Sequence, residues 1–572
     1  METQLEKIRH SAAHVLAEAV LSLYPKVKLG IGPAIENGFY YDFDNLKITE
    51  EDLLKIEKKM QELISKNALF KKSAKTKAEA KKILKDQPYK LELLEEISKP
   101  TFYQSGEFVD LCAGPHVSAT GEIKAFKLLS IAGAYWKGDS KNKMLTRLYG
   151  TAFPSQKELK QYLQQREEAE KRNHIKLGKE LEIFMISDVV GKGLPLWLPK
   201  GNIIKEEIEK FAKEIELKAG YERVSTPILA KKELFIKSGH LPYYKDSMYP
   251  SMKMDDGEYY LRAMNCPHHH LIFKNKLVSY RDLPLRLAEY GTVYRNELSG
   301  TLAGLLRVRG MTQNDAHIYC RKDQIEEEFE NVLKMVQEYF RVFKLENYWF
   351  RLSKWSPKNK EKYVNEPKNW EYTQEILRRV LKKLKVNFTE ADDEAAFYGP
   401  KVDVQFKSVT GREESMSTIQ LDFAAKERFD LTYQDKDGKE NKEVFVIHRA
   451  PLSTHERFMA FLIEHYAGHF PLWLSPVQVK LVTVNDNSIA FAQQIREELK
   501  EKNIRAELDD RQESIGKKVR DAQIMKIPII ITIGDKEVQN KSLAIREHGK
   551  VQFGVNVERF IHDMLEKIKK RC

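Results

Sequence analysis

Cysteine is scarce in this chain. There are four in 572 residues, Cys112, Cys266, Cys320 and Cys572, and their spacing makes no disulfide framework. A long chain with so few thiols reads as a protein of a reducing compartment. Long hydrophobic runs are also missing: no uninterrupted apolar stretch reaches the roughly 18 residues that a membrane-spanning helix needs. The opening METQLEKIRHSAAHVLAEAV carries charge throughout, which excludes the apolar core of a signal peptide. Internal repeats and low-complexity tracts are absent. Together these absences predict a cytoplasmic protein with no membrane partner.

The composition that remains is globular, 42% hydrophobic and 31% charged. At 572 residues the chain exceeds a single core, and about three or four domains are predicted. Lys+Arg number 96 against 84 acids, a net charge of +12. That excess suits a polyanionic partner such as nucleic acid. It equally fits an ordinary solvated surface rich in Lys and Glu.

Along the chain, residues 4–24 have helical periodicity, with Leu5, Ile8, Ala12, Val15, Leu16 and Ala19 on one face. Thr49-Glu50-Glu51-Asp52 resembles a cap and acidic first turn for the helix that follows. Residues 155–180 are almost wholly polar and helix-forming, which predicts a solvated connector helix. A large α+β region follows, to about residue 474. From WLSPVQVKLVTV onward, strands alternate with helices, which predicts a small parallel or mixed α/β domain. The expected boundaries are 1–154, 155–180, 181–474 and 475–572.

Several clusters could carry chemistry. In LRAMNCPHHHLIF, Cys266 stands beside His268, His269 and His270. Taken alone, Cys266 could be a metal ligand, a nucleophile or a small buried side chain. In LAEYGTVYRNELSGTLAGLLRVRGMTQNDAHIYC a strand is expected to run through Arg295-Asn296-Glu297 and a second from Arg307 to Cys320. An Arg and a Glu two apart on a strand face the same side. The pair could hold a phosphate, or be a plain ion-pair ladder. HRAPLSTHERFMAFLIEHYAGHF reads as strand end, turn, and a helix with Arg457 in its first turn. Near the start, HSAAH puts His10 and His14 one helical turn apart, and DLCAGPHV adds Cys112 and His116. That spacing alone is as compatible with a metal as with a metal-free site, and it lacks the Glu of the HExxH proteases.

Read together, PLRLAEYGTVYRNE, THERF and GYERVSTPIL resemble motifs 2, 3 and 1 of the class II aminoacyl-tRNA synthetases. MNCPHH, RNELSGTLAGLLRVRGMTQNDAHI, FYGPKVDV, IQLDF and IHRA, in this order, resemble the threonyl-tRNA synthetases over essentially the whole chain. The resemblance implies an α+β multidomain protein: an editing domain at 1–154, an antiparallel catalytic sheet flanked by helices, and an α/β anticodon-binding domain. It implies ATP held with Mg²⁺, Arg295 at the α-phosphate and Arg457 at the far phosphates. Glu297 would contact the adenine amino group, with Arg307, Met311 and Gln420 also at the nucleotide. His240 would assist transfer to the tRNA end. Fixed guanidinium groups and Mg²⁺ can stabilise charge at phosphorus without a protein nucleophile.

The resemblance also implies zinc on Cys266, His317 and His448, with His268, His269 and His270 left as helix-start packing and surface. Three protein ligands leave coordination positions open for substrate. Asp315 would accept the threonine hydroxyl, Gln313 and Tyr398 would flank the amino group, and Lys401 would join the threonine site. Valine, lacking the hydroxyl, is then rejected well, whereas serine lacks only a methyl, a difference of roughly 1–3 kcal/mol. The resemblance assigns removal of that error, Ser-tRNA(Thr), to a metal-free site of His10, His14, Lys90, Asp110, Cys112 and His116. Glu537 and Arg546 would read the anticodon of tRNA(Thr), and motif 1 implies a homodimer. The sequence begins just ahead of the editing helix, so the small ubiquitin-like TGS domain that often opens this family is expected to be absent. Four positions depart from the family pattern: Met311 replaces Phe, Ser453-Thr454 replaces Gly-Ser, and Ala113 replaces Arg. A tRNA-binding paralogue without ligase activity, or a zinc hydrolase, would explain fewer of these motifs.

Overall fold

The helix Gln4–Leu23 starts where Thr3 Oγ1 accepts the Glu6 amide while the Glu6 carboxylate accepts the Thr3 amide. Its apolar face, Ile8, Ala12, Val15, Leu16 and Ala19, is fully buried. That face lies on a sheet of strands Lys28–Leu29, Gly38–Asp44, Met144–Phe153 and Ala125–Tyr135 in that order, with Ala34–Ile35 paired to Gly38–Asp44. A second sheet is formed by Phe70–Ala74, Thr101–Ser105 and Phe108–Leu111. The helix Asp52–Ser65 lacks the expected threonine cap; its own Asp52 carboxylate reaches back to accept the Thr49 amide at 3.0 Å. This computed structural model describes residues 3–139, 141–359, 361–408, 411, 413–547 and 549–571. They fall into two compact units, Met1–Glu167 and Glu168–Cys572.

The polar stretch 155–180 is two helices rather than one, Gln156–Lys171 and His174–Glu180. Asn173 makes the break, its side chain capping the second helix by accepting the Ile175 and Lys176 amides at 2.9 and 3.1 Å. The second helix buries one face, through His174, Leu177 and Gly178. His174 is buried, bonding the Glu464 carboxylate at 2.7 Å through Nδ1 and accepting the Leu305 amide at 3.1 Å through Nε2. An apparently polar segment is thus tied into the larger unit by His174, which sequence periodicity does not single out, together with Arg172 and the buried Leu177.

The larger unit is organised by an eight-stranded sheet. Its order is Glu222–Arg223, Leu285–Tyr294, Gly310–Cys320, Phe445–Arg449, Glu413–Asp422, Lys401–Lys407, Tyr348–Ser353 and Phe388–Ala391. All inner pairings are antiparallel, and only the two outermost strands pair in parallel. Helices Pro199–Lys218, Ile325–Val342, Pro367–Lys383 and His455–Tyr466 bury their apolar faces with the sheet in one continuous core. The strand expected through Arg295 and Glu297 ends earlier, at Tyr294, and its partner resumes only at Gly310. Arg295 and Glu297 therefore sit on a connecting loop, where strand alternation does not decide which way they face. Beyond the sheet, Val479–Thr483 pairs in parallel with Ala506–Asp509 and Ile529–Ile533, while Ser542–Glu547 and Lys550–Asn556 add antiparallel strands. This is the mixed α/β architecture that the strand–helix alternation predicts. Arg505 ties it to the helix Pro199–Lys218 by a 2.8 Å pair with Glu207, and Arg571 by a pair with Glu214.

The same helix is locked to the sheet by charge. Glu216 and Arg449, both almost wholly buried, pair at 2.9 Å; Glu216 also accepts from Asn314 Nδ2 at 2.9 Å and Arg223 Nη1 at 2.6 Å. Removing one partner of a buried pair strands the other charge. Glu216→Ala should therefore cost about 3–5 kcal/mol of stability, read from urea unfolding of the full chain. A loss below about 1 kcal/mol, the scale of an exposed pair, would contradict this role.

Candidate functional site

A cleft of about 790 Å³ opens over the middle strands of the eight-stranded sheet. At one end stand three arginines. Arg457 lies in the first turn of the helix His455–Tyr466, whose N-cap Thr454 accepts the Arg457 amide at 3.1 Å. Its guanidinium donates to the Leu306 carbonyl at 3.2 Å and the Ser415 carbonyl at 3.0 Å. Burial lowers its pKa from the ordinary value, yet an arginine stays cationic in a protein. Arg307 pairs with Glu297 at 2.8 Å. Arg295 donates from Nε to the Ala263 carbonyl at 3.4 Å. The Arg295–Glu297 pairing suggested by their spacing is replaced by Arg307–Glu297, which leaves the Arg295 fork directed by backbone. Met311 lines the same part of the cleft, packed with Val293 and Val308.

The other end is built on register. Gln313, Asp315 and His317 alternate on one strand and so share a face. His317 lies directly opposite His448, His448 opposite Gln420, and Gln420 opposite Lys401. Cys266 enters from the first turn of the helix Cys266–Lys274. The ligand atoms of Cys266, His317 and His448 all lie within 4.8 Å of one another, and all three residues are buried. Tyr398 stacks on His448, ring centres 5.4 Å apart, and its hydroxyl bonds Gln420. Lys401 pairs with Asp403 at 3.1 Å.

One thiol and two imidazoles in a dry pocket are a donor set for a borderline-soft cation such as zinc. Burial, with the carboxylates of Asp315 and Asp422, pushes the Cys266 thiol well above its ordinary range. Burial also holds the His317 imidazole well below its own, in the neutral form in which histidine ligates. A bound divalent cation would release the thiol proton outright. Asp422 accepts from His448 Nε2 at 3.1 Å, the carboxylate support usual behind a metal-binding imidazole. The donors present fit the group.

Two neighbours of this site carry no conspicuous signal in the sequence. Asn265, fully buried, donates to Asp315 at 2.9 Å and to Gln313 at 3.4 Å, while its own Oδ1 has no protein partner. Gly291 makes room for it, since a Cβ there would lie 2.4 Å from Asn265 Oδ1. The histidine run is also not surface. His268, His269 and His270 are all buried. The whole first turn of this short helix, Cys266 to His270, is buried, and exposure begins only at Leu271. His269 bonds His317, and His270 bonds the Tyr319 hydroxyl at 2.9 Å. His240, by contrast, does not line the cleft. Its ring is buried between Ser238 Oγ at 2.7 Å and Met264 Sδ at 3.0 Å, and burial lowers its pKa to about 4.

The smaller unit has its own groove, about 880 Å³, lined by His10, His14, Lys90, Asp110, Cys112 and Ala113 among others. Cys112 Sγ lies 3.2 Å from both His10 Nε2 and His116 Nε2, and His116 stacks on Phe70. Lys90 and Asp110 form a buried pair at 2.8 Å, and the Tyr41 hydroxyl donates to Asp110 at 2.7 Å. His14 stands apart from the thiol; buried against Phe70 and Phe108, its Nε2 has no partner. In the last domain, Glu537 accepts the Gly534 amide at 3.0 Å in the first turn of the helix Asp535–Asn540, and Arg546 lies on the strand Ser542–Glu547.

A largely antiparallel sheet that carries arginines over one cleft defines a class II aminoacyl-tRNA synthetase. The family described as "tRNA synthetase class II core domain (G, H, P, S and T)" matches residues 249–466. "Anticodon binding domain" matches 478–571, and "Threonyl and Alanyl tRNA synthetase second additional domain" matches 101–149. The threonine–tRNA ligase of Staphylococcus carnosus is 50% identical over 572 residues, covering 99% of this chain and 88% of its own. That of Oceanobacillus iheyensis is 51% identical over 553 residues, covering 96% and 85%. The RNA-binding domain of Cryptosporidium parvum threonyl-tRNA synthetase superposes with a TM-score of 0.66 at 30% identity, over 69% of this chain and 98% of that one. The chain belongs to the threonine–tRNA ligase family, with class II catalytic, editing and anticodon-binding domains. No helix among the described residues is long and apolar enough to cross a membrane.

Burial lowers the His14 pKa from 6.5 to about 3, so between those values the unfolded state binds a proton that the folded state does not. Stability then falls as pH drops through that window, by up to about 1.4 kcal/mol per pH unit for this one group. His14→Phe should flatten the acid slope of stability against pH measured on the full chain. An unchanged slope would remove His14 from the acid sensitivity.

Proposed function

We propose that the cleft joins threonine to ATP and passes the product to tRNA(Thr), with Arg295 at the α-phosphate and Arg457 at the far phosphates. The observation that supports this reading is that Gln313, Asp315 and His317, which share a strand face, line the same cleft as Arg295, Arg307 and Arg457. A threonine carboxylate oxygen attacks the α-phosphorus and pyrophosphate leaves. The ribose hydroxyl of the tRNA end then attacks the acyl carbonyl and AMP leaves. Charge gathers on phosphoryl oxygens in the first step, and guanidinium groups already held by backbone carbonyls need little reorganisation to meet it. Glu297, Arg307, Met311 and Gln420 complete the nucleotide site, with Mg²⁺ arriving on ATP.

Cys266, His317 and His448 would hold zinc, which when bound supplies coordination positions for the amino and hydroxyl groups of threonine. Burial raises the Asp315 pKa, and Asn265 holds that carboxyl beside the position assigned to the hydroxyl. Gln313, Tyr398 and Lys401 belong to the same site. His240 assists the second step only after its ring leaves Met264. The smaller unit hydrolyses Ser-tRNA(Thr) without a metal: Cys112, His10 and His116 orient water at the ester, and the Lys90–Asp110 pair fixes the groove wall. Glu537 and Arg546 would contact the anticodon. A homodimer in the cytoplasm completes the reading.

ATP–pyrophosphate exchange tests the catalytic half. Threonine should support exchange, valine should fall about 10⁴–10⁵-fold below it, and serine only about 10–200-fold. Equal discrimination against both would sink the zinc-reader assignment. Arg457→Ala should lower the threonine exchange rate by about 10²–10³-fold, and a near-normal rate would take Arg457 off the phosphates. For the editing half, Cys112→Ala challenged with serine should accumulate Ser-tRNA(Thr) while threonine exchange stays normal; failure to accumulate it would count against the groove.

A further inference from the structure

The metal-site histidines are supported differently. His448 leans directly on a carboxylate, Asp422 at 3.1 Å. Among the described residues His317 bonds no carboxylate; its Nδ1 lies 2.9 Å from His269 Nδ1, with the rings nearly perpendicular. The other nitrogen of His269, Nε2, lies 3.2 Å from Glu289 Oε1. Glu289 is itself fixed by the Thr226 hydroxyl at 2.7 Å, the Thr226 amide at 3.1 Å and Arg262 Nη1 at 3.2 Å. All three members, Glu289, His269 and His317, are buried.

The direction of these bonds follows from what each atom can do. An ionised carboxylate only accepts, so His269 Nε2 carries a hydrogen. With one proton on each ring, His269 Nδ1 is then bare and must accept, so His317 Nδ1 donates. That leaves His317 Nε2 as the lone-pair nitrogen, the form a metal needs. The placement of His269 follows from helix geometry. It stands three residues after Cys266 on the helix Cys266–Lys274, and positions i and i+3 share a face. A single helical turn thus delivers both the thiol and the support for an imidazole that arrives from the sheet.

We propose that His269 and Glu289 are positioning residues which set the tautomer and orientation of His317 through the Glu289–His269–His317 chain, and thereby set the metal affinity of the Cys266, His317 and His448 site. The inference rests on the zinc reading above. It separates His269 from its neighbour His268, whose ring nitrogens have no hydrogen-bond partner.

The test uses the full chain, with zinc affinity measured by chelator competition and coordination read from the visible absorption of the Co²⁺-substituted protein. His269→Leu removes the acceptor and should weaken zinc by about 10–100-fold and shift the Co²⁺ spectrum. His269→Asn, whose Oδ1 can accept the same N–H, should recover most of the affinity. Glu289→Gln, which keeps the shape and loses the charge, should weaken zinc by about 10-fold, and it serves as the reporter if His269→Leu loses its cooperative unfolding transition. His268→Ala should keep its zinc. Wild-type affinity and spectrum in both His269→Leu and Glu289→Gln overturn the proposal. Absence of zinc binding by the wild-type protein instead overturns the zinc reading on which it rests.

Discussion

The antiparallel pairing of His317 with His448 is the constraint on which the site depends. Directly opposed residues in such a pair have Cβ atoms about 4.5–5.5 Å apart, which brings two imidazoles within reach of one ion without help from loops. The same register sets Gln420 beside His448 and Lys401 beside Gln420, so a row of polar side chains from His317 to Lys401 crosses four strands. A slip of one residue would turn the whole row to the opposite face. The core beneath opposes such a slip: Ala316 and Ile318, on either side of His317, are buried among the helices. The buried Glu216–Arg449 pair adds a second lock, since Arg449 follows His448 on the same strand.

The two ends of the cleft show opposite ways of handling charge. At the Cys266 end, burial favours neutral groups: the Cys266 thiol is pushed up, the Asp315 carboxyl is raised and His317 is held neutral. At the Arg457 end, arginine cannot neutralise, so Arg457 keeps its charge and leans on two backbone carbonyls. Neutral dipoles soften the desolvation of a cation without cancelling its field, and an anion entering the cleft still meets it in full. A carboxylate in place of those carbonyls would have been more stabilising and would have competed with such an anion. Arg307 has such a partner in Glu297, and is the more exposed of the two, where the pair is screened.

Much of this was legible in the sequence where chemistry travels with short-range order. The strand leading to Cys320 and the helix with Arg457 in its first turn both follow from local pattern. Features that depend on packing were not legible. Arg295 and Glu297 have strand-like spacing but lie beyond the strand end, because the pairing stops at Tyr294 and Gly310. The connector helix breaks at Asn173 because its second half finds a partner in Glu464, nearly 300 residues away in sequence. The histidine run is expected as helix-start packing and surface because local pattern cannot reveal how many sides of a nine-residue helix are covered. His269 becomes conspicuous only once Glu289 and His317 are known to sit on adjoining strands.

Ser453 shows how a departure from the family pattern is absorbed. Its φ is +55°, in the left-handed region that favours glycine, where the family pattern has one. For an ordinary residue that conformation costs roughly 1–2 kcal/mol. The turn is held from both sides. The Ser453 carbonyl accepts the Asn314 amide at 3.0 Å, Thr454 bridges to Gln313, and Glu456 accepts the Thr312 amide at 3.1 Å. Every one of those partners belongs to the strand that carries Asp315 and His317. The bonds that make the strained turn tolerable therefore also tie the first turn of the Arg457 helix to the strand of Asp315 and His317. The spacing between Arg457 and that strand across the cleft is set through Ser453, and a glycine there would relieve the strain while leaving the same bonds to carry the alignment.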